Sequence, residues 1–254
     1  MTGSLTVVGL GPGRAELTTP AASAALADAT DLIGYGPYLD RIVAAPAGQR
    51  RHASDNRVEL DRARHALELA ASGKSVAVVS GGDPGVFAMA AAVFEAIEAG
   101  PAEWRALDIR VEPGVTAMLA AAAEIGAPLG GDFCAISLSD NLKSWATITR
   151  RLQAACAGDF VIALYNPLSK ARPHQLGEAF DILRRHKSPS TVIVMVRAAG
   201  SGEMRRITTT LGEVDPIKAD MRTLVLIGSS ATRLIVRDGG EPWIYTPRRE
   251  ELAP

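Results

Sequence analysis

Cysteine is nearly absent: Cys134 and Cys156 are the only two. Two distant thiols make neither a disulfide framework nor a zinc-ligand spacing, so both are read as buried or neutral. Net charge of one sign is also lacking. The formal value is −1, which leaves no global field to attract nucleic acid. An anionic partner must then be held by local Arg and Lys. No stretch reaches the roughly 18 apolar residues that a membrane span needs. The first residues enter an apolar strand at Leu5–Val8 with no basic region before it, so a cytoplasmic location is expected. His52, His65, His174 and His186 show no metal-ligand spacing, and no metal is expected. There is no nucleophile elbow, Walker loop or HExxH pattern.

Aromatics are scarce as well, at 5%. What is plentiful is Ala, Val, Leu and Ile, which suits buried parallel strands covered by Ala-rich helices. Leu5–Val8, Asp31–Ile33, Ser75–Val79 and Asp108–Val111 read as strands. Pro20–Ala29, Val58–Ala71 and Val86–Ala99 read as helices between them. In the last, Val86, Met89, Ala90, Val93, Phe94 and Ile97 follow the spacing of an amphipathic helix. This alternation predicts a mostly parallel sheet with right-handed crossovers. An Ala-rich helix runs to about Ala123, and Gly126–Asp132 reads as a linker.

The texture then changes. Cys134–Leu138, Phe160–Leu164, Thr191–Val196, Arg206–Thr210 and Thr223–Ile227 read as strands, with a further one at Trp243–Tyr245. Only two helices fall among them, Ser144–Cys156 and Pro173–His186. The closely spaced late strands suggest hairpins and a mixed sheet. The expected fold is therefore α/β with two domains: residues 1–113, a linker and connecting helix over 114–132, and residues 133–254.

Open α/β sheets bind ligands beyond the carboxyl ends of their strands. The Gly-rich and polar clusters fall there: Gly9-Leu10-Gly11-Pro12-Gly13, Gly81-Gly82-Asp83-Pro84-Gly85, Pro113-Gly114-Val115-Thr116-Ala117, Tyr165-Asn166-Pro167 and Arg197-Ala198-Ala199-Gly200. The first invites a dinucleotide reading and thus an NADPH-dependent oxidoreductase. Arg14 stands where the fingerprint needs its third glycine, and Pro12 disturbs the turn. Asp83 reads as an acceptor at a strand end and as the cap of a helix beginning near Pro84.

Taken in order, these loops resemble the tetrapyrrole methylase family. The carrying residues are Gly9–Gly13, Gly82-Asp83-Pro84-Gly85-Val86-Phe87 and Pro113–Ala117. Gly34-Tyr35-Gly36-Pro37-Tyr38, Ala135–Trp145 and Asp159–Lys170 point to its cobalamin-pathway members. Asn141-Leu142-Lys143-Ser144 departs from the pattern, where a more apolar run ending in Thr-Pro is expected.

The resemblance implies two α/β domains of the tetrapyrrole methylase type with a cleft between them, in a homodimer without nucleic-acid or membrane partners. It implies S-adenosyl-L-methionine as methyl donor, S-adenosyl-L-homocysteine as product, and a tetrapyrrole small molecule as substrate. By position, the donor would contact Gly81, Gly82, Asp83, Val86, Phe87, Thr116, Ala117, Leu138, Tyr165, Asn166, Arg197 and Ala198, with Thr223, Leu224 and Val225 behind. Methylation coupled to ring contraction needs a group to take a hydroxyl proton. Asp83, Glu112 and Asp140 are the candidates. Gly11, Pro12, Gly13, Arg14, Arg41, Lys143, Lys170 and Arg172 are placed around the substrate and its carboxylates, with Arg50 and Arg51 as further cations. A methylase acting at another position of the macrocycle, or on rRNA or a diphthine precursor, and a non-catalytic tetrapyrrole carrier are the other readings.

Overall fold

The computed structural model describes residues 3–42, 46–55 and 58–249. The chain divides into two compact units, Met1–Ala117 and Met118–Pro254. The first contains β1 (Ser4–Gly9), β2 (Asp31–Tyr35), β3 (Arg50–Ser54), β4 (Ser75–Ser80) and β5 (Asp108–Glu112). They form one sheet in the order β3-β2-β4-β1-β5, parallel throughout.

Successive side chains of a strand point to opposite faces, and the two faces are packed differently. Leu5, Val7, Val76 and Val78 meet the Ala-rich side of α3 (Glu59–Ala71) and Met89, Val93 and Ala96 of α4 (Met89–Ala99). Val8, Leu32, Ala77 and Val79 meet Ala22 and Leu26 of α1 (Pro20–Asp28) and Leu39 of α2 (Gly36–Leu39). Helices on both faces explain why β4 is an unbroken apolar run from Val76 to Val79 and why β1 is apolar apart from Thr6. Thr19 caps α1 by accepting the Ala22 N–H at 3.1 Å, with Pro20 at the first helical position.

The unit boundary falls at the first residue of α5 (Ala117–Ile125). The second unit continues with β6 (Gly126–Ala127), β7 (Phe133–Ser137), α6 (Trp145–Ala157), β8 (Val161–Tyr165) and α7 (Gln175–Arg184). β9 (Val192–Arg197), β10 (Arg205–Thr210), β11 (Thr223–Ile227), β12 (Arg233–Arg237) and β13 (Gly240–Tyr245) complete it. Its main sheet has the order β10-β9-β11-β8-β7 and is mixed, as expected. β7 and β8 pair in parallel, while β11 runs antiparallel to both β8 and β9. The carboxyl ends of β7, β8 and β9 therefore lie at one end of the sheet, with the start of β11. Phe180, Leu176, Ile148, Leu152 and Leu164 are fully buried in its core.

Three expectations need correction. The helix expected from Val86 begins at Met89, because Phe87 is left-handed (φ 55) and Ala88 extended. The stretch expected as a linker contains β6, whose Gly126 and Ala127 pair in parallel with Ile244 and Tyr245 of β13. Gly126 has φ +131, and a Cβ there would lie 2.5 Å from the Ile244 carbonyl oxygen; only glycine fits. β3 and β12 were not expected at all, since Arg-Arg-His-Ala-Ser and Arg-Leu-Ile-Val-Arg lack polar–apolar alternation. Both are edge strands whose side chains are mostly exposed, so neither face imposes an apolar pattern.

Asp159 pins the turn into β8. Its carboxylate accepts from the Lys187 ammonium at 2.9 Å and from the Ser230 N–H at 3.0 Å, and it also bonds the Ser230 hydroxyl. Lys187 is buried and donates in addition to the Gly228 and Phe160 carbonyls, at 3.2 and 3.4 Å. Burial pushes the Asp159 carboxyl up, but the bonds from Ser230 and Lys187 outweigh it and hold it below the ordinary value. Such a group adds stability above its unfolded-state value, and that stability is lost as pH falls through the folded-state value. Asp159→Asn should therefore lower the thermal midpoint at neutral pH and flatten its decline below about pH 4. An unchanged acid limb in thermal melts across pH would refute this.

Candidate functional site

In the first unit the turns after β1, β4 and β5 meet backbone to backbone. Gly11 N–H donates to the Gly82 carbonyl at 3.1 Å, and Gly82 N–H returns a bond to Gly11 at 3.0 Å. A Cβ on Gly9 would lie 2.7 Å from the Gly114 nitrogen. One on Gly114 would lie 2.2 Å from the Gly82 oxygen. These approaches are closer than any side chain permits, which is why glycine stands at positions 9 and 114, while Gly82 owes its glycine to a left-handed φ of +66. Asp83 ties the same turns together: its Oδ1 accepts from Gly85 N–H at 2.8 Å and its Oδ2 from Gly114 N–H at 3.0 Å. It is a brace between loops and not the helix cap expected, because α4 starts six residues later.

Arg41 holds the first turn from the side. Its Nη2 donates to the carbonyls of Leu10, Gly11 and Gly13 at 2.9, 3.1 and 3.3 Å. Burial lowers its pKa, and the neighbouring Tyr38 works against that. The Tyr38 ring covers Gly81, where a Cβ would lie 2.7 Å from its Cζ.

In the second unit Leu138, Tyr165, Asn166, Arg197, Ala198 and Thr223 gather at one end of the main sheet. Leu138 N–H donates to the Tyr165 carbonyl at 2.9 Å, and Asn166 Nδ2 to Ser137 Oγ at 3.0 Å. The Tyr165 hydroxyl accepts from Met118 N–H in the first turn of α5 at 3.0 Å. Arg197 Nε donates to Asp220 Oδ2 at 2.7 Å. Burial pushes the Asp220 carboxyl up, but the bonds from Arg197 and Thr223 outweigh it and hold it low.

Backbone strain marks the same places. Among the described residues the non-glycine positions with left-handed φ are Phe87, Asp159, Asn166 and Ala198. Phe87, Asn166 and Ala198 all sit in strand-end turns. Such conformations cost on the order of 1–3 kcal/mol each, and they persist where surroundings over-determine them, often at functional sites. Many polar groups at these turns are backbone, a surface suited to binding and alignment. Among the described residues no three His, Cys, Asp or Glu side chains group to hold a metal, and no helix is long and apolar enough to cross a membrane.

The family model for tetrapyrrole (corrin/porphyrin) methylases matches residues 4–215. The chain belongs to the tetrapyrrole methylase family. A precorrin-3B C(17)-methyltransferase of Sinorhizobium sp is 60% identical over 248 residues, covering 98% of this chain and 97% of that protein. The crystal structure of the methyltransferase CobJ matches with a TM-score of 0.91 and 56% identity, over 96% of this chain and 100% of that one. A uroporphyrin-III C-methyl transferase from Thermus thermophilus, complexed with S-adenyl homocysteine, shares the fold at a TM-score of 0.66 and 21% identity, over 89% and 92% of the two chains.

The other residues singled out in this methylase chain occupy varied settings. Val86 is half-buried, Thr116 is buried, and Ala117 opens α5. Glu112 ends β5 and is half-buried, while Asp140 Oδ2 accepts from Gln175 Nε2 at 3.1 Å. Pro12 and Gly13 are half-buried, and Arg14 and Lys170 are exposed. Burial, with Arg151 nearby, lowers the pKa of Lys143 just before α6. Arg172 is buried, with its guanidinium on the Asn166 and Leu138 carbonyls. Sequence reasoning did not reach Tyr38, Ser137 or Asp220 as parts of these turns. Tyr38 and Ser137 lay within the stretches Gly34–Tyr38 and Ala135–Trp145 that carry the resemblance, whereas Asp220 had only the signal of a polar residue near a strand start.

The glycine contacts make a direct prediction. Gly114→Ala should destabilise the protein by about 1–3 kcal/mol, because the methyl group meets fixed backbone. Gly36→Ala, where nothing lies within 4 Å, should stay within about 0.5 kcal/mol of the parent. Denaturant unfolding of the two variants side by side measures this, and equal midpoints would refute it.

Proposed function

We propose that this chain is an S-adenosylmethionine-dependent methyltransferase that methylates precorrin-3B at C17 and contracts its macrocycle to give precorrin-4. The observation that carries the reading is 60% identity, across 98% of the chain, with a relative of that name. The strained, backbone-rich turns support a place for the donor. In the first unit Gly81, Gly82, Asp83, Val86, Phe87, Thr116 and Ala117 would hold it. In the second, Leu138, Tyr165, Asn166, Arg197, Ala198 and Thr223–Val225 would do so. Gly82 has its own N–H and carbonyl engaged with Gly11, so its part is to admit a ligand closely. A cytoplasmic homodimer belongs to the same reading.

The donor supplies an electrophilic methyl group when bound. The chain's task is then alignment of the reacting atoms and acceptance of one proton from the substrate hydroxyl. Asp83 is the weakest choice of base, since both of its oxygens already brace the loops. Asp140, with one oxygen on Gln175, and Glu112, at a strand end, are the stronger ones. Arg14, Lys143 and Lys170 are the cations to meet substrate carboxylates. The dinucleotide alternative is disfavoured because the Gly11 N–H, which would have to face a pyrophosphate, is bonded to Gly82.

Incubation with precorrin-3B and labelled S-adenosylmethionine should yield a ring-contracted product carrying one added methyl group, identified by mass and visible spectrum. Failure to transfer the label would overturn the reading. Methylation at another carbon would establish a different member of the family. Glu112→Gln or Asp140→Asn, whichever removes the base, should lower turnover by roughly two orders of magnitude with donor binding retained. Full turnover in both variants would discard these two assignments.

A further inference from the structure

Arg172 is placed by its sequence among the cations around the substrate, yet it is buried, with 7% of its surface exposed. Its Nη1 donates to the Asn166 carbonyl at 2.9 Å and to the Leu138 carbonyl at 3.4 Å, and its Nη2 lies 3.5 Å from the Met221 sulfur. Backbone bonds between Ser169 and Arg172, at 3.2 and 3.0 Å, close the turn that folds the side chain back. Burying a guanidinium is costly unless its donors are used, and these donors reach the strand ends of both β7 and β8.

Asn166 is the residue in need of such a hold. It has φ 51, and Pro167 follows it. A residue before proline is pushed towards extended backbone. Asn166 stays left-handed while its amide is bonded to Ser137 and its carbonyl to Arg172. Removing the guanidinium would leave a carbonyl without that donor and let the Tyr165–Asn166 turn relax towards the extended form.

We propose that Arg172 is a positioning residue for the methyl donor, acting through the left-handed turn at Asn166 and the Leu138 strand end rather than as a cation for the substrate. This rests on the donor site proposed above, at Leu138, Tyr165 and Asn166.

The test is steady-state kinetics of the full-length protein with S-adenosylmethionine and precorrin-3B, together with calorimetric binding of S-adenosylhomocysteine. Arg172→Met keeps length and volume while removing the donors. It should raise the KM for S-adenosylmethionine about tenfold or more, with kcat changed much less and the KM for precorrin-3B nearly unchanged. S-adenosylhomocysteine binding should weaken in step. Arg172→Lys keeps one charged donor without the fork and should fall between the parent and Arg172→Met. A folded Arg172→Met protein with parental donor KM overturns the proposal, as does a rise confined to the KM for precorrin-3B. A fall in kcat and thermal midpoint together with a rise in both KM values, unrelieved in Arg172→Lys, assigns a structural role only and also overturns it. If Arg172→Met does not fold, parental donor KM in Arg172→Lys decides against the proposal. Failure of the parent protein itself to bind S-adenosylhomocysteine would instead strike the donor site.

Discussion

The contact of Gly9, Gly82 and Gly114 is the constraint on which the first unit's ligand-facing end depends. Three parallel strands end side by side, and their turns must pass within van der Waals contact of one another's backbone. The 2.2 Å approach that a Cβ on Gly114 would make to the Gly82 oxygen shows how little room remains. Once the turns are that close, their polar groups can satisfy each other, as Gly11 and Gly82 do reciprocally. The charged groups then act as ties. Asp83 joins two turns through its two oxygens, and Arg41 gathers three carbonyls of a third.

The second unit reaches a comparable result by other means. Its strand-end turns hold left-handed Asn166 and Ala198 where glycine would be easier. Hydrogen bonds from elsewhere in the unit hold what glycine would otherwise allow. Ser137 and Arg172 act on Asn166, and Ala198 N–H is held by the Arg222 carbonyl at 2.9 Å. Asp220 accepts from Arg197 and from the Arg222 N–H. Both units thus present rigid backbone at strand ends. That suits a methyltransferase, in which geometry does more than acid–base machinery.

Buried β4, β9 and β11 were legible because both faces of each are covered, so they carry unbroken apolar runs, and β1 departs from that only at Thr6. α3 and α6 were legible as the stretches Val58–Ala71 and Ser144–Cys156 between strands, and the structure adds that Ser144 caps α6 by accepting the Thr147 N–H at 3.3 Å. The strand-end turns were legible because their glycines and prolines punctuate the chain in a fixed order that resembles one family. β3 and β12 were not, because an edge strand needs backbone pairing on one side only and so leaves little trace in composition. The start of α4 was misread because Val86 keeps the helical apolar spacing while the backbone at Phe87 does not.

Local sequence determined the strand and helix succession and the chemical character of the turns, since burial pattern and conformational preference act over a few residues. Only the tertiary structure decided what the charged groups in those turns do. Arg41 and Arg172 are composed like any solvated or substrate-facing arginine, and Asp83 like any helix cap. Their roles as ties follow from carbonyls and N–H groups brought to them from elsewhere in the chain: Leu10 lies 31 residues from Arg41, Leu138 34 from Arg172 and Gly114 31 from Asp83. A hydrogen bond is specified by position and direction at about 3 Å, and residues that far apart in sequence acquire such positions only when the sheets assemble.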